Sequence, residues 1–238
     1  MTPEQLFADL LAANPSQPFV TYYDEATGER AELSVKSLAN WVAKTHHLLA
    51  TELGLGRGNT ASVALPAHWL SVPVVLGVFT AGLQIVEDET SDVAFVVPST
   101  LIRAAGAFDV YALNPAAPAV GFGASGDAPP PGTNDYVASV RPQADAWGSV
   151  QFGAGSGDPG LATRSRADVV AWARQRAAAL GLSAGARVLT DRDWLSANDL
   201  VDTLLAPLAV GGSVVYVRNA SPEILSRRAD QERATKLI

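Results

Sequence analysis

The sequence has 238 residues, 48% of them hydrophobic, which is enough to enclose a core as one large domain or two small ones. Its formal net charge of −7 argues against nucleic acid as a partner, because that association needs a basic face to displace counterions. Cysteine is absent, which excludes disulfides, iron–sulfur clusters and thiolate chemistry and fits a cytoplasmic protein.

The opening MTPEQLFADLLAANP lacks a basic stretch followed by an apolar one, so it does not read as an export signal. Thr2, Pro3 and Gln5 supply a cap, a first-turn proline and a reciprocal polar partner for a helix ending near Ala13, where NPSQP stops it. FVTYYD and RAELS then predict a hairpin turning at Gly28. From Ser34, the apolar positions Leu38, Trp41, Val42, Leu48 and Leu49 recur at helical spacing until Gly54. TASVALP, WLSVPVVLGVFTAG and LQIVED follow as strand, helix and strand. The longest apolar run, 72–86, is shorter than the roughly 20 residues that cross a bilayer, so no membrane span is expected.

DVAFVVP, a short helix over Leu101–Gly106, and FDVYALN continue the alternation, which predicts an α/β fold with mostly parallel sheets flanked by helices. The Pro/Gly-rich stretch 115–134 reads as an irregular connection between an N-terminal α/β subdomain, 1–114, and a second one, 135–238. In the second half SVQF, RVLT and SVVYV are the expected strands. Helices are expected to open at Ser165 with Asp168, at Ser196 with Asp199, and at SPE, the last running to the chain end. LGLGRGNTASVALPAHWLS (53–71) and LGLSAGARVLTDRDWLS (180–196) echo each other, as duplicated α/β units would; convergence on a common helix–strand–helix solution is the alternative.

The stretch from AELSVKSLANW to FTAGLQIV, the loop FGAGSGDPG and the later LLAPLAVGGSVVYV together resemble the N-terminal region of adenylate-forming enzymes, the acyl-CoA synthetase and nonribosomal adenylation group. The chain also resembles short, degenerate relatives of unassigned function from GC-rich bacteria. The first resemblance implies that 152–165 is a phosphate loop. Ser156, Gly157, Asp158 and Pro159 match the hydroxyl, glycine, variable and proline positions of its pattern, but Gly160 stands where the family carries lysine. Gly153, Ala154 and Gly155 replace most of the remaining hydroxyl residues. The amides that cradle phosphate are kept while the cation is lost. Arg164 and Arg166, the latter where the family often has histidine, are the candidate substitutes at a helix N-terminus; the structural alternative makes both solvated and paired with Asp158 or Asp168.

The family's adenine pocket, ribose-binding aspartate, magnesium-binding glutamate and second catalytic lysine have no counterpart in this sequence. Adenylation is therefore not expected, since it requires charge stabilisation at the α-phosphate. The expected role is a catalytically silent module for a small ligand, with ATP or AMP as candidates, held by Gly153, Gly155, Ser156, Gly157, Asp158, Pro159, Arg164 and Arg166. Two other classes remain: a module that pairs with itself or a protein partner, and an enzyme using Asp158, Ser156 and Arg164.

Other motifs are weaker. GFGASG (121–126) fits a dinucleotide pattern, but DAPPPG follows it instead of a helix. GAGSGD lacks the outer glycines of a nucleophile elbow. His46 and His47 are adjacent and face different ways, which does not suit a metal pair, and His68 is expected to pack at a helix entry. Trp69 and Trp194 read as core or interface residues, and EDETSD and TDRDW as solvated turns.

Overall fold

The computed structural model describes residues 1–238 except 88–89, 115–120 and 147–153. Thr2 accepts from the Gln5 amide at 3.4 Å and Gln5 from the Thr2 amide at 2.9 Å, so the expected capping box opens α1 (Pro3–Ala13). β1 (Pro18–Asp24) and β2 (Glu29–Ser34) form the hairpin, turned at Gly28 with φ 77°, where glycine avoids the Cβ penalty. α2 (Val35–His47) ends in a π-helical turn, Leu48–Glu52, and Gly54 at φ 67° leaves it.

β3 (Thr60–Ala64), α3 (Ser71–Ala81), β4 (Gln84–Val86) and β5 (Val93–Val96) come next. A 3₁₀ stretch at Pro98–Ala104 starts earlier than the expected helix, because Pro98 presets its first turn. β6 (Asp109–Ala112), α4 (Gly121–Ser125), β7 (Asn134–Asp135), α5 (Tyr136–Val140), β8 (Pro159–Leu161) and β9 (Arg164–Ser165) lead to α6 (Arg166–Ala179). β10 (Arg187–Thr190), α7 (Ala197–Leu200), a π-turn at Val201–Leu205, α8 (Ala206–Ala209), β11 (Ser213–Arg218), α9 (Pro222–Gln231) and β12 (Lys236–Leu237) complete the chain.

Two expectations change. PGLATRS is a tight hairpin, not a loop, turning through Ala162 at φ 51°. The last helix stops at Gln231, Arg233 takes φ 50°, and the remaining residues pair with β10, whose edge would otherwise leave its backbone groups open. GFGAS is itself a helix of five residues, and, as expected, DAPPPG continues it as irregular chain and not as a helix. The expected strand SVQF and residues 115–120 of the expected connection lie outside the described residues.

The chain divides into two compact units that are interleaved, not consecutive. Unit 1 comprises 1–38, 67–72 and 167–238; unit 2 comprises 39–66 and 73–166, so residues 121–134 of the expected connection fall inside unit 2.

Unit 1 holds a five-stranded sheet, β12-β10-β11-β1-β2, parallel except for the β1–β2 hairpin. Tyr23, Leu189, Val215 and Val217 form a core cluster that Leu225 and Ala229 of α9 cover. Charges reinforce this face: Arg187 pairs with Glu232 and donates to Thr21 Oγ1 at 2.9 Å, Tyr23 donates to Glu232, and the Arg228 guanidinium lies 4.0 Å from the centre of the Tyr23 ring. Ahead of α7, Trp194 Nε1 donates to Thr203 Oγ1 at 2.9 Å, and the Tyr216 hydroxyl of β11 donates to the Thr203 carbonyl inside the π-turn at 3.1 Å.

Unit 2 holds a seven-stranded sheet, β7-β6-β5-β3-β4-β8-β9, parallel except for the final pair. All four residues of β5 are buried, the pattern of a parallel strand covered on both faces. α2 and α3 approach closely at Gly77: a Cβ there would lie 2.5 Å from Cβ and Cγ2 of Thr45, whose hydroxyl bonds the Tyr136 hydroxyl at 2.7 Å.

That approach makes a testable prediction. Gly77→Ala should destabilise the protein by about 1–3 kcal/mol, because overpacking against Thr45 outweighs the gain of up to about 1 kcal/mol in helix propensity. A fall in the urea midpoint at unchanged slope would be the readout.

Candidate functional site: the loop before β8

β3, β4 and β8 run parallel, with β4 between the other two, so the turns that enter β3 and β8 lie at the same end of the sheet, at the amino ends of strands one place apart. The first turn is Gly56–Asn59, closed by Asn59 N–H to the Gly56 carbonyl at 3.0 Å and by Gly56 N–H to Asn59 Oδ1 at 3.0 Å; it carries Arg57. The second is Gly155–Asp158, closed by Asp158 N–H to the Gly155 carbonyl at 3.1 Å.

The two turns meet through one carboxylate. Asp158 Oδ2 accepts from Gly155 N–H at 2.7 Å, and Oδ1 accepts from the Arg57 guanidinium at 2.7 Å. The Gly155 amide, then the Arg57 guanidinium, hold the Asp158 carboxyl below the usual carboxylate range. The loop therefore stabilises negative charge, and the anion it holds is the protein's own.

Gly155, Ser156, Gly157 and Pro159 are exposed around this carboxylate, while Gly153 lies outside the described residues. Neither Gly155 nor Gly157 has a positive φ, so neither is required for a left-handed conformation. Gly160 is different. It is buried, and a Cβ there would lie 3.1 Å from Cα and 3.2 Å from N of Arg166, so a lysine at this position would press on backbone.

Arg166 is fully buried at the first position of α6. Its two terminal nitrogens donate to the Phe79 carbonyl at 2.9 Å and the Leu83 carbonyl at 2.7 Å, at the C-terminal end of α3 and the turn into β4. The Phe79 carbonyl also accepts from Gly82 N–H at 3.0 Å, so the guanidinium is its second donor, while Leu83 lies in the turn beyond the helix. The expectation that Arg166 faces a phosphate is thus corrected: helix-end carbonyls in the interior of unit 2 take both terminal nitrogens of its guanidinium. Arg164 remains exposed on β9. Sequence reading missed Arg57, whose only signal was a cation in a glycine turn.

GFGASG is also filled from within. Asp135 Oδ2 accepts from Phe122 N–H at 2.7 Å, its Oδ1 accepts from Val137 N–H at 2.9 Å, and a Cβ on Gly121 would lie 2.5 Å from Oδ2. One carboxylate caps both α4 and α5.

In unit 1, TDRDW is a bonded corner and not a solvated turn. Asp193 accepts from Ala67 N–H at 2.6 Å and Trp194 N–H at 3.0 Å, and Arg218 lies 3.2 Å from its second oxygen. Arg192 reaches Asp199 at 2.6 Å and the buried Asp202 at 3.3 Å, and Asp202 also receives Arg176 at 2.6 and 2.9 Å. Burial pushes the Asp199 carboxyl up, but the Ser196 and Arg192 bonds outweigh it and the net shift is downward. His68 packs at a helix entry, its Nδ1 accepting from Leu70 N–H at 3.0 Å and its ring 4.2 Å from that of Tyr22. Among the described residues no group of three or more His, Cys, Asp or Glu is placed to hold a metal ion, and no helix is long and apolar enough to cross a membrane.

Comparison with known proteins bears on this geometry. No family model matches the chain. A "TIGR03089 family protein" of Mycobacterium tuberculosis is 39% identical over 239 residues, covering 96% of this chain and 94% of that protein. Among solved structures, an acyl-CoA synthetase from Brucella canis is similar with a TM-score of 0.78 at 15% identity, and the anthranilate CoA ligase AuaEII, crystallised with anthranoyl-AMP, with 0.74 at 12%. All of this chain is matched in both, and it spans 47% and 48% of their lengths. The likeness establishes the α/β fold of adenylate-forming enzymes.

Two outcomes are expected. Arg166→Leu should cost about 2–4 kcal/mol in urea denaturation, because it removes two buried charge-assisted hydrogen bonds, although the Phe79 carbonyl keeps its bond from Gly82 N–H. Arg57→Gln should move the Asp158 carboxyl up toward the ordinary range, followed by carboxyl-carbon NMR. Since the folded value is depressed, the bond's contribution is present at neutral pH and is lost as pH falls through that depressed value.

Proposed function

The chain belongs to the TIGR03089 family, and from that membership and the loop geometry we propose that it is a catalytically silent protein of adenylate-forming fold that binds a small phosphate-bearing ligand, such as ATP or AMP, at Gly155–Pro159. One observation carries the reading. The loop keeps an amide that holds an anion, while the position of the family's lysine is a glycine packed against the backbone of a buried arginine. Adenylation requires charge stabilisation as the α-phosphate is attacked. Recognition of a phosphate requires less: converging N–H groups and room for the ligand to approach. A Cβ on Gly157 would meet nothing within 4 Å, and one on Gly155 only Asp158 Oδ2 at 3.6 Å, which supports such an approach.

Two measurements test the proposal. With ATP or AMP at about 100 times Kd, the melting temperature should rise by about 5–10 °C, and Gly155→Val with Gly157→Val should abolish the rise without unfolding the chain. ATP–pyrophosphate exchange with a mixture of carboxylic acids should stay at background; robust exchange would refute catalytic silence.

Self-association is a second reading, favoured by Phe108 and Ile102 of unit 2, which are 88% and 76% exposed. Light scattering that finds a monomer at every concentration would dismiss it.

A further inference from the structure

We propose that Arg57 is the cation of this loop, and that Asp158 is a built-in competitor which an incoming phosphate oxyanion displaces from the Gly155 N–H and the Arg57 guanidinium. The inference rests on the ligand-binding reading above and adds the residue that replaces the missing lysine.

The donor pair is already arranged for an oxyanion. Each oxygen of the Asp158 carboxylate has one donor at 2.7 Å, one from backbone and one from a guanidinium. The two donors belong to different segments, and the strands that follow them, β3 and β8, both pair with β4, so the turns that carry the donors do not rely on the carboxylate for their position. The Asp158 backbone is fixed separately, its N–H to Gly155 at 3.1 Å and its carbonyl to Arg166 N–H at 2.9 Å, so the side chain can rotate away without unfolding the turn.

Charge sets the direction of the exchange. The Arg57 side chain is 69% exposed, and exposed ion pairs of this kind are weak. A phosphate group presents more charge and more acceptor oxygens than a carboxylate to the same donors. Arg57 also answers the absence that Gly160 creates: the cation reaches the loop from the neighbouring turn, where backbone does not obstruct it.

The test uses the whole chain and inorganic pyrophosphate, with ATP as a parallel ligand to separate simple phosphate recognition from nucleotide recognition. Affinity is measured by calorimetry for the native chain, Asp158→Asn, Arg57→Gln and the double variant, each confirmed folded by circular dichroism. Asp158→Asn should tighten pyrophosphate binding about tenfold, Arg57→Gln should weaken it by a similar factor, and the double variant should lose the gain. Arg57→Lys, which keeps the charge, should retain most of the affinity. If the native chain binds but neither Asp158→Asn nor Arg57→Gln changes the affinity, the displacement mechanism is wrong while the ligand-binding reading stands. If neither the native chain nor Asp158→Asn binds pyrophosphate or ATP, both are wrong. Binding of ATP without pyrophosphate, insensitive to Arg57, would assign recognition to the nucleoside and overturn the role of Arg57.

Discussion

The buried guanidinium of Arg166 is the constraint from which the loop follows. A permanently charged group with no solvent exposure is tolerable only when bonded, and the Phe79 and Leu83 carbonyls, at the end of α3 and just beyond it, accept from it. Pinning Arg166 there fixes where α6 begins and brings its backbone against the β8 strand. Gly160 must then be small. The glycine at position 160 is thus coupled to an interior bond: the arginine that enters the core brings its own atoms within 3.1–3.2 Å of where a Cβ there would stand.

Both glycine-rich runs hold a carboxylate of the same chain. Asp135 bonds the amides of GFGASG, and Asp158 bonds that of GAGSGD. Clustered N–H groups in a turn favour an anion, and an aspartate a few residues away is a nearby supply. The two differ in consequence. Asp135 also caps α5 and crowds Gly121, so it is built into the packing of unit 2, whereas Asp158, itself partly covered, bonds an exposed arginine.

Much of the architecture was legible because local signals agreed with one another. Thr2, Pro3 and Gln5 marked α1, Gly28 marked the hairpin, Ser196 and Ser221 capped the helices they precede, and buried apolar runs such as VAFV marked parallel strands. The missing parts depend on partners distant in sequence. Nothing near Arg166 reveals that its acceptors are residues 79 and 83, so an arginine at a helix start reads as an anion ligand. Likewise the Asp158–Arg57 pair spans 101 positions, and TDRDW takes its order from Ala67 and Arg218. The short strands β8, β9 and β12 have two or three residues each, too few for a period to show; their neighbours in the sheets define them.

The interleaving of the two units also constrains how the chain becomes ordered during synthesis. β1 has its parallel partner in β11, with Val20 opposite Val214, so most of the polypeptide must leave the ribosome before that pairing can form. The strands of the seven-stranded sheet all lie between residues 60 and 165, and they can assemble while the first hairpin still waits for a neighbour. Closing so long a separation costs entropy that no local contact repays, which places completion of the five-stranded sheet late and leaves the edge of β1 exposed to wrong pairing until then.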